Sequence, residues 1–377
     1  MPMRLNSDIA EFQAKVAEFA QRVIAPEPFP RMLAPDAGIW KKIREENLAG
    51  LAVPEEYGGM GKDALHISAA AEALTHHGRD PGIALSWLIH TVLSRFFVLR
   101  FGTEGQRGAW LNRLAGGGVI ICLAASEPDG GAHPKAINTA AERAGGDYVL
   151  TGAKNFLTNG PVAGLFIVIA VTGRTGEQKE FTAFLIPKDR PGLSLTEPLR
   201  LGVLESSPHC GLRLSGCAVP EENILGIKGD AYRRILIPFR DIEDTFLKGL
   251  VAGGMSLEME LLVRLLRKRE AAPDGGLKER IGSLVCRLES LRILAREAAH
   301  LADRDPEDPG LEKLQLAFRD FAGGFQEVLS GIVRSETGRE DAEMERLQRD
   351  LSAVIHLAKN VARIRLGKIG NDFVSFK

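Results

Sequence analysis

The chain has 377 residues, 45% of them hydrophobic and 26% charged, with 48 Lys and Arg set against 49 Asp and Glu for a formal net charge of -1. That length suggests two or three domains around a sizeable interior, and the composition is that of a globular protein rather than a disordered or fibrous one. The charge balance offers no basic stripe for a phosphate backbone, so nucleic acid is not an expected partner.

Residues 1–10 carry Asp8 and no long apolar core, so neither a signal nor a transit peptide is expected and the expected compartment is the cytoplasm. Ile9, Phe12, Val16, Phe19 and Val23 recur at spacings of three and four, which predicts a helix with Ser7 as N-cap and Pro26 as stop. A second helix is expected around residues 38–46, then a turn over 50–59 forced by Pro54 and Gly58-Gly59. Residues 63–78 and 81–101 read as helices, the latter opening on Pro81, whose missing N–H is harmless in a first turn. His90 and Arg95 interrupt the apolar stretch 83–98 before it reaches the roughly 18 residues of a membrane span, so a buried helix is expected and a membrane is not. Thr103 and Gln106 fit a capping box ahead of a helix holding Trp110 and Leu114.

After Gly116-Gly117-Gly118 the texture changes. Short β-prone runs lie at 119–124, 137–143, 148–152, 165–171, 181–187 and 211–214, and Gly145-Gly146-Asp147 joins two of them as a hairpin would. A small domain of antiparallel strands is expected. From Lys228 onward the strand signals vanish. A helix over about 231–266 precedes three stripes: Leu277, Ile281, Leu284, Leu288 and Leu291; Leu314, Phe318, Phe321, Phe325, Val328 and Ile332; and Met344, Leu347, Leu351, Val354, Ala358 and Val361. Short connections at 273–276, 303–310 and 335–341 predict an antiparallel bundle. Cys122, Cys210, Cys217 and Cys286 form no Cys-x-x-Cys pair, which predicts reduced thiols and no metal site.

The order of a helical domain over 1–118, a β domain over 119–226 and a helical bundle over 227–377 predicts an α+β fold that resembles the acyl-CoA dehydrogenases. Four motifs carry the resemblance in the right order. Pro54-Glu55-Glu56-Tyr57-Gly58-Gly59-Met60-Gly61 resembles the family's Pro-x-x-Tyr-Gly-Gly-x-Gly turn. Ser126-Glu127-Pro128-Asp129-Gly130-Gly131 is similar to its Thr-Glu-Pro-x-x-Gly-Ser-Asp loop, and Gly152-Ala153-Lys154-Asn155-Phe156-Leu157-Thr158-Asn159-Gly160 to its Gly-x-Lys-x-Trp-Ile-Thr-Asn-Gly strand. Val219-Pro220-Glu221-Glu222-Asn223-Ile224-Leu225-Gly226 matches Val-Pro-x-x-Asn-x-Leu-Gly. The resemblance implies FAD, an acyl-CoA thioester as substrate for α,β-dehydrogenation, electron-transfer flavoprotein as electron acceptor, and a homo- or hetero-oligomer, dimer or tetramer, with the flavin at a subunit contact. Carried over by position, Ser126 and Thr158 offer hydroxyls to the isoalloxazine, Ala125 a backbone amide, Phe156 an aromatic face, and Leu123 opens the same cofactor loop. Ordinary turn hydrogen bonding is the alternative reading of Ser126 and Thr158.

Departures are as informative. The reaction needs a base for the α-proton, and the family's Tyr-Glu-Gly segment near the C-terminus has no counterpart; Leu366-Gly367-Lys368-Ile369-Gly370 resembles only what precedes it. Some relatives carry the base on the first long bundle helix, and Glu243 lies one residue from that position. The alternative is that Glu243 belongs to the solvated charged face 240–244. Ala132-His133 replaces Ser-Asp, with His133 read as an exposed loop residue. Arg264, Arg267, Lys268 and Arg269 stand where an Arg-x-x-Phe-Gly would reach a pyrophosphate, and read more simply as a basic helix end. Two functions from different classes therefore follow: a dehydrogenase with a relocated base, or an inactive member acting as a partner subunit or an acyl-CoA or flavin binder. A flavin oxidase or monooxygenase is a third.

Overall fold

The computed structural model describes residues 7–31, 38–268, 273–337, 341–357 and 359–375. Helix α1 (Ser7–Phe19) buries Ile9, Phe12, Val16 and Phe19 as the spacing predicts, and a π-helical turn over Ala20–Ile24 extends it to the edge of Pro26. In α2 (Gly38–Glu45) the buried Trp40 donates its indole N–H to the Gly117 carbonyl at 2.8 Å. Beyond it, Gly59 lies so close to its neighbours that a Cβ would sit 2.0 Å from the Val53 carbonyl oxygen, which reserves the turn for glycine. Asp63 caps α3 (Ala64–Gly78) and Asp80 caps α4 (Pro81–Leu93). The segment Pro81–Leu99 is long and apolar enough to cross a membrane, yet 89% of its most apolar window is buried inside the protein. The expected capping box opens α5 (Glu104–Ala115): Gln106 N donates to Thr103 Oγ1 at 3.2 Å and Thr103 N to Gln106 Oε1 at 3.1 Å.

Among the described residues the middle segment forms eight strands: β1 (Ile121–Ala124), β2 (Ala140–Ala144), β3 (Asp147–Thr158), β4 (Leu165–Thr175), β5 (Gln178–Pro187), β6 (Leu193–Leu195), β7 (His209–Pro220) and β8 (Ile224–Leu225). They make one sheet in the order β6-β7-β3-β2-β4-β5-β8, with β1 on β4. The Gly145-Gly146 hairpin forms, with Ala144 opposite Asp147 and Gly145 at φ 65°. Most pairings are antiparallel, but β1 runs parallel to β4, Ile121 opposite Leu165, and β2 touches β4 in parallel at Ala140 and Val171. Strand β4 is buried on both faces. Leu165, Ile167 and Ile169 join the core shared with the helices, while Phe166, Val168 and Ala170 join a second core with Tyr148, Leu150, Leu212 and Val219. Such a strand shows a continuous apolar run rather than an alternation. Strands β3 and β7 run longer than expected, because register shifts at Leu150/Gly152 and Lys154/Leu157 break the alternation without ending the ladder.

A π-helical turn over Tyr232–Leu236 leads into α6 (Ile237–Leu266), followed by α7 (Gly275–Arg304), α8 (Gly310–Ile332), α9 (Ala342–Ile355) and α10 (Lys359–Val374). Helix α6 packs backbone to backbone on α3: a Cβ on Gly253 would lie 2.3 Å from the Glu72 carbonyl oxygen. Two expectations are corrected. The third stripe is split between two helices, because the chain turns at His356-Leu357; Ala358 lies outside the described residues. Phe321, assigned to the second stripe, is 37% exposed, whereas Phe318, Phe325 and Ile332 are buried.

Candidate functional site

The two polar motifs of the middle segment are joined by a buried ion pair. Lys154 Nζ lies 2.9 Å from Glu127 Oε1 and donates to the Ala125 carbonyl at 3.2 Å. The side chains of Lys154 and Glu127 are 0% and 9% exposed. The Glu127 carboxylate also accepts from Thr139 Oγ1 at 2.6 Å and from the amides of Thr139 and Asn138, each at 2.9 Å. Burial pulls Lys154 down to about 8 against the attraction of Glu127. Burial alone would raise Glu127, but Lys154 and the Thr139 donors hold it below its ordinary value. A third tie is the Asn155 amide, which donates to the Ser126 carbonyl at 2.8 Å. The loop after β1 is therefore fixed to the bulged part of β3.

That bulge presents a polar and aromatic rim. Phe156 adopts a left-handed backbone with φ 57° and leaves its ring 53% exposed. Such a conformation costs a bulky residue roughly 1–2 kcal/mol, and bulges commonly re-aim a side chain beside a site. Asn159, also left-handed at φ 67°, ends the strand. Between them Thr158 Oγ1 lies 3.0 Å from His209 Nε2 on β7. His209 Nδ1 in turn donates to the Ser207 carbonyl at 2.8 Å.

Of the residues predicted for the cofactor, Leu123 is half-buried on β1, Ala125 is buried behind Lys154, and Ser126 is half-buried. The Ser126 hydroxyl has no hydrogen-bond partner among the described residues. Ser126, Ala125 and Lys154 are drawn into one cluster next to Phe156 and Thr158 along β3. A hydroxyl without a partner among the described residues, an exposed ring on a left-handed backbone and a second hydroxyl along one strand are groups that a flat heteroaromatic ring with a polar edge, such as the isoalloxazine, can use. Sequence reasoning assigned no role to His209, or to Lys154 and Glu127 beyond their place in a motif.

Glu243 lies on α6, outside the β3 motif residues. Its run is not a uniform charged face. Asp241 accepts from Arg365 at 2.8 Å and Asp244 from Arg319 at 2.9 Å, tying α6 to α10 and α8. Glu243 has no hydrogen bond or ion pair among the described residues. It lies one helical turn from Phe239 and Phe246, whose rings are 5.7 Å from Phe97 and 5.4 Å from Phe96. Glu243 is half-buried, and its desolvation, reinforced by the neighbouring Asp244 charge, pushes it up to about 8.

His133 is exposed and accepts through Nδ1 from the Lys135 amide at 3.2 Å. Arg264 is bound to Asp341 at 3.0 Å and Glu343 at 3.2 Å, bridging α6 and α9; Arg269 lies outside the described residues. Among the described residues no cluster of His, Cys, Asp and Glu could hold a metal ion.

Comparison with known proteins gives the same direction. Residues 6–118 match the family described as acyl-CoA dehydrogenase, N-terminal domain, and residues 122–217 the acyl-CoA dehydrogenase middle domain. A mitochondrial 2-methylacyl-CoA dehydrogenase of Solanum tuberosum is 32% identical over 318 residues, 81% of this chain and 76% of that protein. An acyl-CoA dehydrogenase of Bacillus subtilis (strain 168) is 28% identical over 315 residues, 80% of this chain and 81% of that protein. In three dimensions the butyryl-CoA dehydrogenase of Megasphaera elsdenii superposes with a TM-score of 0.84 at 21% identity, covering 99% of this chain and 100% of that one. The prolyl acyl carrier protein oxidase AnaB superposes at 0.83 with 25% identity, over 98% and 100% of the two chains.

Proposed function

The chain belongs to the acyl-CoA dehydrogenase family, and from that premise we propose that it is an FAD-dependent oxidoreductase acting on the α,β bond of an acyl thioester, with Glu243 as the base. The observation that carries the assignment is that Glu243, alone of the three acidic residues in 240–244, has no cationic partner among the described residues, and that it lies one helical turn from Phe239 and Phe246. A carboxylate held by Arg is a poor proton acceptor. One raised by burial is matched to taking a proton near neutral pH.

The residues that would hold the flavin are Ser126 through its free hydroxyl, Ala125 through its backbone, Phe156 through its ring face and Thr158 through its hydroxyl. When bound, FAD supplies a two-electron acceptor for the hydride leaving the β-carbon. Lys154 and Glu127 keep the Ser126 loop seated on β3, so its polar groups are oriented before ligand arrives. Glu243 removes the α-proton. The partner that would take up the electrons is an electron-transfer flavoprotein.

The test is spectroscopic. Purified protein is expected to show the visible bands of bound flavin, and anaerobic addition of acyl-CoA thioesters of graded chain length to bleach them. A colourless protein that FAD neither binds nor stabilises would support the rival reading, an inactive partner subunit or acyl-CoA binder. That rival draws on Ala132 and His133, which lie exposed where relatives carry Ser-Asp.

We further propose that the chain self-associates. Ile364, Leu366, Phe373 and Val374 of α10 are 71%, 57%, 82% and 71% exposed, apolar surface that a second copy of the chain would cover. Static light scattering should return a multiple of the 40.9 kDa chain mass; a single-chain mass at micromolar concentration would remove this proposal.

A further inference from the structure

We propose that His209 is a positioning residue that fixes the Thr158 hydroxyl as a hydrogen-bond acceptor toward the bound flavin, so that the protein favours the reduced ring. The inference rests on the flavin reading above and deepens it.

The register of β3 and β7 sets Thr158 directly opposite His209, and Thr158 Oγ1 is 3.0 Å from Nε2. The second ring nitrogen, Nδ1, is 2.8 Å from the Ser207 carbonyl oxygen. A carbonyl can only accept, so Nδ1 carries the proton. In the neutral ring Nε2 is then an acceptor, and the Thr158 hydroxyl must donate to it. Burial, working against the Ser207 carbonyl, lowers the His209 pKa and keeps the ring neutral.

The imidazole is held in this orientation by a loop pinned to two helices. The Ser207 hydroxyl lies 3.1 Å from that of Ser86 on α4, and the Ser207 amide donates to the Leu204 carbonyl at 2.8 Å. The Leu204 amide donates to Asp350 of α9 at 2.7 Å. On the far side of the strand, the Asn159 amide donates to the Pro208 carbonyl at 2.9 Å. With its own proton directed at His209, Thr158 has only lone pairs to offer a ligand.

An acceptor discriminates between the two redox states of the ring. The oxidised isoalloxazine presents acceptors at N5 and O4; taking up two electrons and one proton turns N5 into an N–H donor. A hydroxyl that only accepts pairs with the second form and is mismatched with the first. One such hydrogen bond gained or lost is worth about a tenfold ratio.

The test is anaerobic reductive titration of the FAD-loaded protein with dithionite against a reference dye, for the wild type, His209→Phe, Thr158→Val, Thr158→Ser and the His209→Phe/Thr158→Val double variant. His209→Phe returns the Thr158 proton to the ligand and should lower the ratio of reduced to oxidised FAD affinity about tenfold, a fall of about 30 mV in the two-electron midpoint potential. Thr158→Val should fall as well, Thr158→Ser should not, and the double variant should fall no further than Thr158→Val alone. Equal potentials in wild type and His209→Phe, with FAD bound in both, overturn the role of His209 and leave the flavin reading standing. Failure of the wild type to bind FAD overturns both. Should His209→Phe not fold, Thr158→Val and Thr158→Ser decide: equal potentials in those two overturn the proposal.

Discussion

Glu243→Gln should lower the rate of flavin bleaching by acyl-CoA by about 10²- to 10⁴-fold, the usual contribution of a positioned general base. Glutamine keeps the size and the hydrogen-bonding atoms and loses only the proton affinity, so substrate binding should change far less than the rate. The pH profile supplies a second signature. Glu243 is protonated below about 8 and can accept a proton only when ionised, so the bleaching rate should climb with pH to a midpoint near 8 and then level. Stability should move the opposite way. The folded-state value of about 8 exceeds the ordinary 4.5, so the folded chain holds a proton that the unfolded chain releases between those two pH values. The stability attached to Glu243 is thus present at pH 4 and declines as pH rises toward 8. Glutamine cannot ionise, so the variant should melt higher than the wild type at pH 8 and close to it at pH 4. Glu258, also pushed up to about 8 by burial, titrates in both proteins and cancels from the comparison. A variant that bleaches at the wild-type rate would exclude Glu243 as the base.

Lys154→Met should be the most damaging single change to the middle segment, because it strands the Glu127 carboxylate in a site where its Lys partner is wholly buried. Removing one member of a buried pair typically costs about 3–5 kcal/mol, against roughly 5–15 kcal/mol for a whole domain. Thr139 and Asn138 still donate to Glu127, but a carboxylate without its countercharge remains. Urea unfolding should show the loss as a lower midpoint with an unchanged slope, and the affinity for FAD should fall with it as the Ser126 loop loosens. Lys154→Met combined with Glu127→Gln should recover part of the stability, since no lone charge is left behind. A loss below about 1 kcal/mol in the single variant would show that the pair is not what holds the loop, because that is the range of an exposed pair.

What could be read from the residues depended on how far apart the interacting groups lie in the chain. The α1 stripe, the Thr103–Gln106 capping box and the Gly145-Gly146 hairpin are local, and each formed where its spacing placed it. The parallel pairing of β1 with β4 left no mark, because a strand buried on both faces has no alternation to show its partner. The break after α9 was hidden for a different reason: the turn at His356-Leu357 contains neither Gly nor Pro. In the site, the family motifs brought Ser126, Phe156 and Thr158 to notice together with the flavin they imply, without revealing the Lys154–Glu127 pair that holds the Ser126 loop on β3. His209 was invisible to any local pattern, since it meets Thr158 only across a strand pairing that joins residues 51 apart in the chain. Glu243 could be nominated by position, but its separation from Asp241 and Asp244 required the arginines of α8 and α10 to be in place.

The two-faced burial of β4 constrains any attempt to treat the sheet as a portable part. Were the middle segment cut out, Leu165, Ile167 and Ile169, together with Ala183, Leu185 and Leu225 beside them, would lose the helices that cover them and present a continuous oily wall to water. A grafted or shuffled version of this sheet must therefore bring its helical cover along, or acquire polar side chains at those six positions.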